Sequence, residues 1–352
     1  MVIPNDRLRI IDANLNRIGE GLRVLEEFAR LSLNDTALTQ QLKNIRHELL
    51  GVDLKLQEQL LQARDSAGDI GADMEVPGED RQRDESAAIV ANARRVQESL
   101  RVMEELAKTP GIPLDTNTYK QARFGLYTVE KELLSKMLRR DKLGRMAGLY
   151  AIIDTEALHG RSHVDVAAGA IRGGVKVIQL RDKDSDKKEL LSIAEGLKKL
   201  CTEHNVLFIV NDSLEMALAS DADGLHVGGE DLPTAVARRL LPIDKILGCS
   251  ARTVEKAQTA KAAGADYIGV GAMYPTATKE SAEVVGTERL KEIRKAVDLP
   301  IVAIGGINKD NAGEVMKAGA CAVAVINALL GAEDIEQAAR QLVKAIEGKH
   351  GR

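Results

Sequence analysis

Up to Arg139-Arg140-Asp141-Lys142-Leu143-Gly144 the apolar residues recur at helical spacing; beyond that point they gather in short runs. Residues three and four apart share one face of a helix, so the first pattern predicts an all-α domain over residues 1–140. The second pattern consists of the runs Leu149–Ile153, Val175–Leu180, Leu207–Val210, Gly224–Val227, Ile246–Cys249, Tyr267–Val270, Ile301–Ile304 and Ala322–Ile326. Nearly every run is followed by an amphipathic stretch. Strands alternating with helices pair in parallel, and eight such units over residues 145–350 predict an α/β fold, a closed (β/α)8 barrel of the TIM type. A doubly wound open sheet is the alternative, but the chain has no G-x-G-x-x-G turn to support it.

The front half repeats itself. Ala13-Asn14-x-x-Arg17-x-x-Glu20-x-Leu22-Arg23-x-x-Glu26-Glu27-x-Ala29 recurs as Ala91-Asn92-x-x-Arg95-x-x-Glu98-x-Leu100-Arg101-x-x-Glu104-Glu105-x-Ala107. Each copy precedes a second helical stretch, marked by Lys43-x-x-Arg46-x-x-Leu49 or Lys120-x-x-Arg123-x-x-Leu126. Two duplicated helical hairpins should bury Leu15, Ile18, Leu22 and Leu25 against Ala93, Val96, Leu100 and Met103, as in a small four-helix bundle. Ser66–Ser86, rich in Gly, Asp, Glu and Arg, reads as a solvated connector between the copies. Arg23 with Glu27 and Arg101 with Glu105 are i,i+4 partners, which gives part of the repeat a purely structural explanation.

Composition narrows the function. A net charge of −4 argues against nucleic acid, whose phosphates demand a basic face. No apolar run has the length of a membrane span, and the start Met1-Val2-Ile3-Pro4-Asn5-Asp6 has no secretory pattern. Cys201, Cys249 and Cys321 are odd in number and far apart, and read as buried free thiols of a reducing cytoplasm.

Chemistry in such a barrel gathers where strands end and helices begin. Gln179, Arg181 and Lys183 alternate along the second strand and should therefore share one face, a site for a highly charged oxyanion. Asp212 and Asp231, at the ends of the third and fourth strands, read either as helix caps or, beside these cations, as ligands for Mg²⁺. Gly305-Gly306-Ile307, followed by a helix over Asn308–Ala318, would offer amides and a positive helix end to a phosphate. His226, on a strand, reads as packed and not as a base.

Together the motifs Q-x-R-x-K, N-D, D-G-x-H-x-G, G-x-S, P-T-x-T-K and G-G-I resemble, in order, those of thiamine phosphate synthase, from Gly148 to about Glu347. The resemblance implies transfer of an aminopyrimidine-methyl group from its diphosphate to the ring nitrogen of a thiazole phosphate. It implies that Gln179, Arg181, Lys183, Asn211, Ser250 and Lys279 bind the pyrimidine diphosphate, with Arg181, Lys183 and Lys279 catalytic. Asp212 and Asp231 would hold Mg²⁺. Thr276, Thr278, Gly306, Ile326 and Asn327 would receive the thiazole phosphate. Gly229 and Asn327 stand where many relatives carry Gln and Ser. The front half resembles a helical domain associated with hydroxymethylpyrimidine phosphate kinase, through Asn14, Arg17, Glu20, Gly21, Arg23, Glu26 and Glu27, with Arg64-Asp65 and Gly68-Asp69-Ile70-Gly71. It implies either a kinase supplying the barrel's substrate or a structural or homo-oligomerising element. A thiazole tautomerase and a non-catalytic phosphate-ligand sensor are the competing readings of the barrel; the tautomerases carry a His where this chain has Arg252.

Overall fold

The computed structural model describes residues 3–65, 68, 84–276 and 283–348, and the chain divides into two compact units, Met1–Leu138 and Arg139–Arg352. In the first, α1 (Asn5–Glu27) runs into a π-helical turn, Phe28–Ser32, followed by α2 (Thr36–Leu50), α3 (Leu54–Ala63), α4 (Glu85–Ala107) and α5 (Thr116–Arg145), whose residues from Arg139 onward belong to the second unit. Asp35, Asp53 and Asp84 cap α2, α3 and α4 through their carboxylates, satisfying amides that have no partner within the helix. Leu15, Ile18, Leu22, Leu25, Ala93, Val96, Leu100 and Met103 are all buried in one cluster. Gly21 allows α1 and α4 to approach closely: a Cβ there would lie 2.5 Å from Val96 Cγ2.

The duplication is visible in the polar residues as well. Glu26, nearly buried, accepts from Arg23 and from Arg46 Nε, each at 2.9 Å. Its counterpart Glu104 accepts from Arg101 at 3.0 Å and from Arg123 Nη2 at 2.9 Å. The Arg123 guanidinium holds the Glu104 carboxylate below its ordinary range. Asn14 and Asn92 each donate to the carbonyl four residues earlier, Ile10 and Ala88. A buried carboxylate gripped by arginines from both helices of its hairpin costs much to break on one side, because the remaining charge loses its partner. The connector's residues 66, 67 and 69–83, including Asp69, Ile70 and Gly71, lie outside the described residues.

In the second unit β1 (Gly148–Asp154), α6 (His163–Arg172), β2 (Val177–Arg181), α7 (Lys187–Glu203), β3 (Leu207–Asn211), α8 (Leu214–Ala219), β4 (Gly224–Val227) and α9 (Thr234–Leu240) lead to β5 (Ile246–Ser250). Then come α10 (Val254–Ala262), β6 (Tyr267–Val270), α11 (Gly286–Ala296), β7 (Ile301–Ile304), α12 (Ala312–Lys317), β8 (Ala322–Val325), α13 (Asn327–Leu330) and α14 (Ile335–Glu347). The strands close in sequence order into a parallel barrel, β1 pairing with both β2 and β8. Alternate residues divide between two cores. Leu149, Ala151, Ile153, Ile178 and Leu180 pack outward with the helices; Tyr150, Ile152, Val177, Leu207 and Ile246 fill the interior.

The barrel unit begins before residue 145. Arg139 Nε donates to Asp266 Oδ1 at 2.8 Å, Arg139 Nη1 to the Ile243 carbonyl at 2.7 Å, and Lys142 to the Asp244 carbonyl at 2.7 Å. Leu143 and Met146 join the interior cluster where β1 begins. Cys201 and Cys249 are buried, but Cys321 is only half-buried, contrary to the expectation for all three; each is free.

Candidate active site

The polar residues gather at the carboxyl ends of the strands. Registration of Asp154 with Arg181 across β1 and β2 sets a buried carboxylate beside the guanidinium, and the two form an ion pair. Lys183 departs from expectation: β2 ends at Arg181, and Lys183 is exposed in the bend that follows. The cause is Asp182, whose Oδ1 accepts the amides of Asp184 and Ser185 at 3.0 and 2.9 Å and turns the chain. Burial works against this carboxylate, yet hydrogen bonds from Thr155 and Ser185 hold it below the usual range. Strand alternation therefore does not aim Lys183; the Asp182 turn does.

Asp212 and Asp231 come together. Burial pushes the Asp212 carboxyl up to about 6, a hydrogen bond with Asp231 and that residue's negative charge add to the rise, and Lys183 and Arg181 oppose it. Capping does not account for either residue. Ser213 caps α8, and Pro233 precedes α9. Asp212 adopts the left-handed region at φ 63, its amide donating to the His226 carbonyl at 2.8 Å, while Asp231 Oδ2 accepts the Gly228 amide at 2.7 Å. Two adjoining carboxylates that repel each other beside two cations fit a hard divalent cation sharing its remaining positions with water and phosphate oxygens. Among the described residues no cluster of three or more His, Cys, Asp or Glu side chains offers a closed metal cage.

Gly305 and Gly306 both have positive φ, 96 and 65, which glycine adopts without penalty. A Cβ on Gly306 would meet the Pro275 carbonyl at 2.6 Å and Tyr274 Cβ at 2.7 Å, so the turn lies directly against the segment leading to Thr276. The helix expected from Asn308 starts only at Ala312, because Asn311 Oδ1 accepts the Asn308 amide and Asn308 Oδ1 the Asp310 amide. The Gly-Gly turn thus offers its own backbone and not the start of α12. Ile326 and Asn327 follow β8, with Asn327 exposed at the start of α13. Thr278 and Lys279 lie outside the described residues.

Within the barrel the structure adds two residues that the sequence reading passed over. Gln179 Nε2 donates to Tyr150 Oη at 2.8 Å, and Tyr150 Oη lies 3.2 Å from Tyr267 Oη. Tyr267 Oη is 3.0 Å from His226 Nδ1, and His226 Nε2 is 3.0 Å from Ser250 Oγ. Both tyrosines sit in apolar runs, where they read as core; their inward position on alternating strands was the available signal. Gly248 makes the space: a Cβ there would fall 2.1 Å from Tyr267 Cζ and 2.5 Å from His226 Nδ1. Gly248→Ala should lower unfolding free energy by about 1–3 kcal/mol, an overpacking cost measurable by denaturant titration.

Burial drives the His226 pKa down to about 4, from an ordinary 6.5. The unfolded chain therefore binds more protons between these values, and this residue costs stability as pH falls from 6.5 towards 4. His226→Gln should flatten that part of the dependence of Tm on pH; an unchanged slope would show that His226 is already charged in the fold.

Residues 149–329 match the thiamine monophosphate synthase family, and residues 9–132 match the ThiD2 family. A thiamine-phosphate synthase of Synechocystis sp. is 39% identical over 97% of this chain and 96% of its own length. One from Synechococcus sp. is 40% identical over 95% of each chain. The solved thiamine phosphate pyrophosphorylase of Pyrococcus furiosus is 41% identical, with a TM-score of 0.55, over 59% of this chain and 98% of that one. With a strand-end site of this make-up and relatives matching nearly end to end, the chain belongs to the thiamine-phosphate synthase family.

Proposed function

We propose that the barrel joins an aminopyrimidine-methyl diphosphate to a thiazole phosphate, forming thiamine phosphate and pyrophosphate. The observation that carries this reading is the junction of Arg181, Lys183, Asp212 and Asp231 at neighbouring strand ends. In the reaction the methylene carbon–oxygen bond breaks, its electron pair leaves with the diphosphate, and the thiazole nitrogen forms the new bond to carbon. Negative charge grows on the departing oxygens, where preorganised cations lower the barrier. Arg181, Lys183 and Lys279 serve that role, with Gln179, Asn211 and Ser250 holding the pyrimidine. Asp154 fixes the Arg181 guanidinium. Mg²⁺ held by Asp212 and Asp231 would neutralise diphosphate charge. Thr276, Thr278, Gly306, Ile326 and Asn327 receive the thiazole phosphate. The aminopyrimidine donates electrons to the methylene carbon, so the displacement is dissociative and needs no protein nucleophile.

A tautomerase has no use for this concentration of cations and paired carboxylates, whereas a phosphate-ligand sensor would use the same groups without releasing pyrophosphate. Mixing both phosphorylated substrates with Mg²⁺ should release one pyrophosphate for each thiamine phosphate formed. Binding without pyrophosphate release would favour the sensor.

The ThiD2 match leaves two readings for the helical unit: phosphorylation of the pyrimidine phosphate to the diphosphate, or structural support. Internal ion pairs account for Arg23, Glu26, Arg46, Arg101, Glu104 and Arg123. ATP-dependent formation of the diphosphate by the full chain separates the two.

A further inference from the structure

The hydrogen bonds inside the barrel form one unbroken series, Gln179–Tyr150–Tyr267–His226–Ser250, crossing from β2 through β1, β6 and β4 to β5. Gln179, Tyr150 and Tyr267 are buried, so no bulk water competes for these groups. Each tyrosine carries one hydroxyl proton, and a neutral imidazole carries one N–H and one bare nitrogen. Burial keeps His226 neutral at physiological pH and both phenols protonated. Along such a series every link must donate in the same direction.

Two arrangements satisfy this rule. When the Gln179 amide nitrogen donates to Tyr150, the tyrosines donate onward to His226 Nδ1 and its Nε2–H donates to Ser250. Gln179 then keeps Oε1 and its second N–H, and the Ser250 hydroxyl proton remains to be donated. When all donors reverse, the Gln179 amide turns its Oε1 towards Tyr150 to accept the phenol and keeps both N–H groups for other partners, and Ser250, donating to His226 Nε2, can only accept. The two arrangements thus tie the orientation of the Gln179 amide to whether Ser250 has a proton left to donate. A break in the middle would free each end to choose alone.

We propose that Tyr150, Tyr267 and His226 are positioning residues whose hydrogen-bond series couples the orientation of the Gln179 amide to the donor or acceptor state of Ser250, so that an aminopyrimidine meets the two ends in one of two concerted arrangements. Such a ring offers an amino donor and ring-nitrogen acceptors, so each arrangement presents it with a different set of partners. The inference rests on the assignment of Gln179 and Ser250 to the pyrimidine diphosphate. It adds that these residues, which do not bond to each other directly, act as one unit.

A double-mutant cycle measured in the full-length protein tests this, with the Kd for the pyrimidine diphosphate taken by calorimetry. Gln179→Ala and Ser250→Ala should each weaken binding. Because either change already disrupts the shared series, the double variant should bind at least about fivefold tighter than the product of the two losses predicts. In a Tyr267→Phe background the losses should multiply, as they should in Tyr150→Phe, which breaks the adjacent link and serves if the first variant folds poorly. A structural role for Tyr267 would lower Tm without altering the coupling. Multiplicative losses in the unmodified protein, or coupling that survives both tyrosine changes, would overturn the series while leaving the pyrimidine site intact. Single variants that bind normally would overturn both.

Discussion

Arg181→Ala should lower kcat for thiamine phosphate formation by about a hundredfold or more, with a smaller change in KM for the thiazole phosphate. The guanidinium stands at the tip of β2, held by the buried Asp154 carboxylate and close enough to Asp212 to oppose the burial-driven rise in its pKa. A fixed cation aimed at developing charge needs no reorganisation as the bond breaks, and removing one such donor costs about 10²–10³ in kcat. The variant also leaves Asp154 buried without its cation, so its fold must be checked by Tm. Arg181→Lys separates the two effects: it keeps the charge but loses the planar fork, and should recover stability more fully than turnover. Near-normal kcat in Arg181→Ala would remove this residue from the chemistry. Lys183 is exposed and set by the Asp182 turn, so Lys183→Ala should leave Tm unchanged, and any fall in its kcat then reports on function alone.

Asp212→Asn should raise the Mg²⁺ concentration giving half-maximal rate by about tenfold or more and reduce kcat at saturating metal. Asparagine tolerates the left-handed backbone that Asp212 adopts, so the change removes charge with little strain. Without added metal, burial first and then the hydrogen bond and negative charge of Asp231 hold the Asp212 carboxyl up at about 6. Removing that buried charge should make Asp212→Asn more thermostable than the unmodified protein in the absence of Mg²⁺ at pH 8. The difference should shrink as pH falls through 6, where Asp212 takes up its proton. A lower Tm for the variant at pH 8, together with an unchanged Mg²⁺ requirement, would show that the pair is a structural hydrogen bond and not a cation site.

The barrel was legible because each strand is a short apolar run bounded by turn residues, and the closure order follows the chain. The duplicated helices were equally legible, since the same apolar positions face inward in both copies. Strand alternation failed at Lys183, where a side chain gripping two backbone amides ended the strand. The helix expected from Asn308 began late, because Asn311 Oδ1 accepts the Asn308 amide and Asn308 Oδ1 the Asp310 amide, which postpones α12. Local side-chain-to-backbone bonds of this kind override periodicity and depend on geometry that spacing does not reveal. Tyr150 and Tyr267 were invisible as polar groups because their rings belong to apolar runs, while their hydroxyls meet only once the barrel closes. The ion pair of Asp154 with Arg181 likewise needed the register of β1 against β2. Helix capping, a reasonable reading of Asp212 from its neighbours, gave way to Ser213, one residue further on.

All of this depends on strand tips that collect positive groups and a cation around a departing diphosphate. Calorimetric titration of pyrophosphate, with and without Mg²⁺, measures that directly and requires no turnover. Binding should strengthen at least tenfold when Mg²⁺ is present and lose that gain in both Arg181→Ala and Asp212→Asn. Pyrophosphate binding of equal strength with and without the metal, and unaffected by either substitution, would contradict this reading.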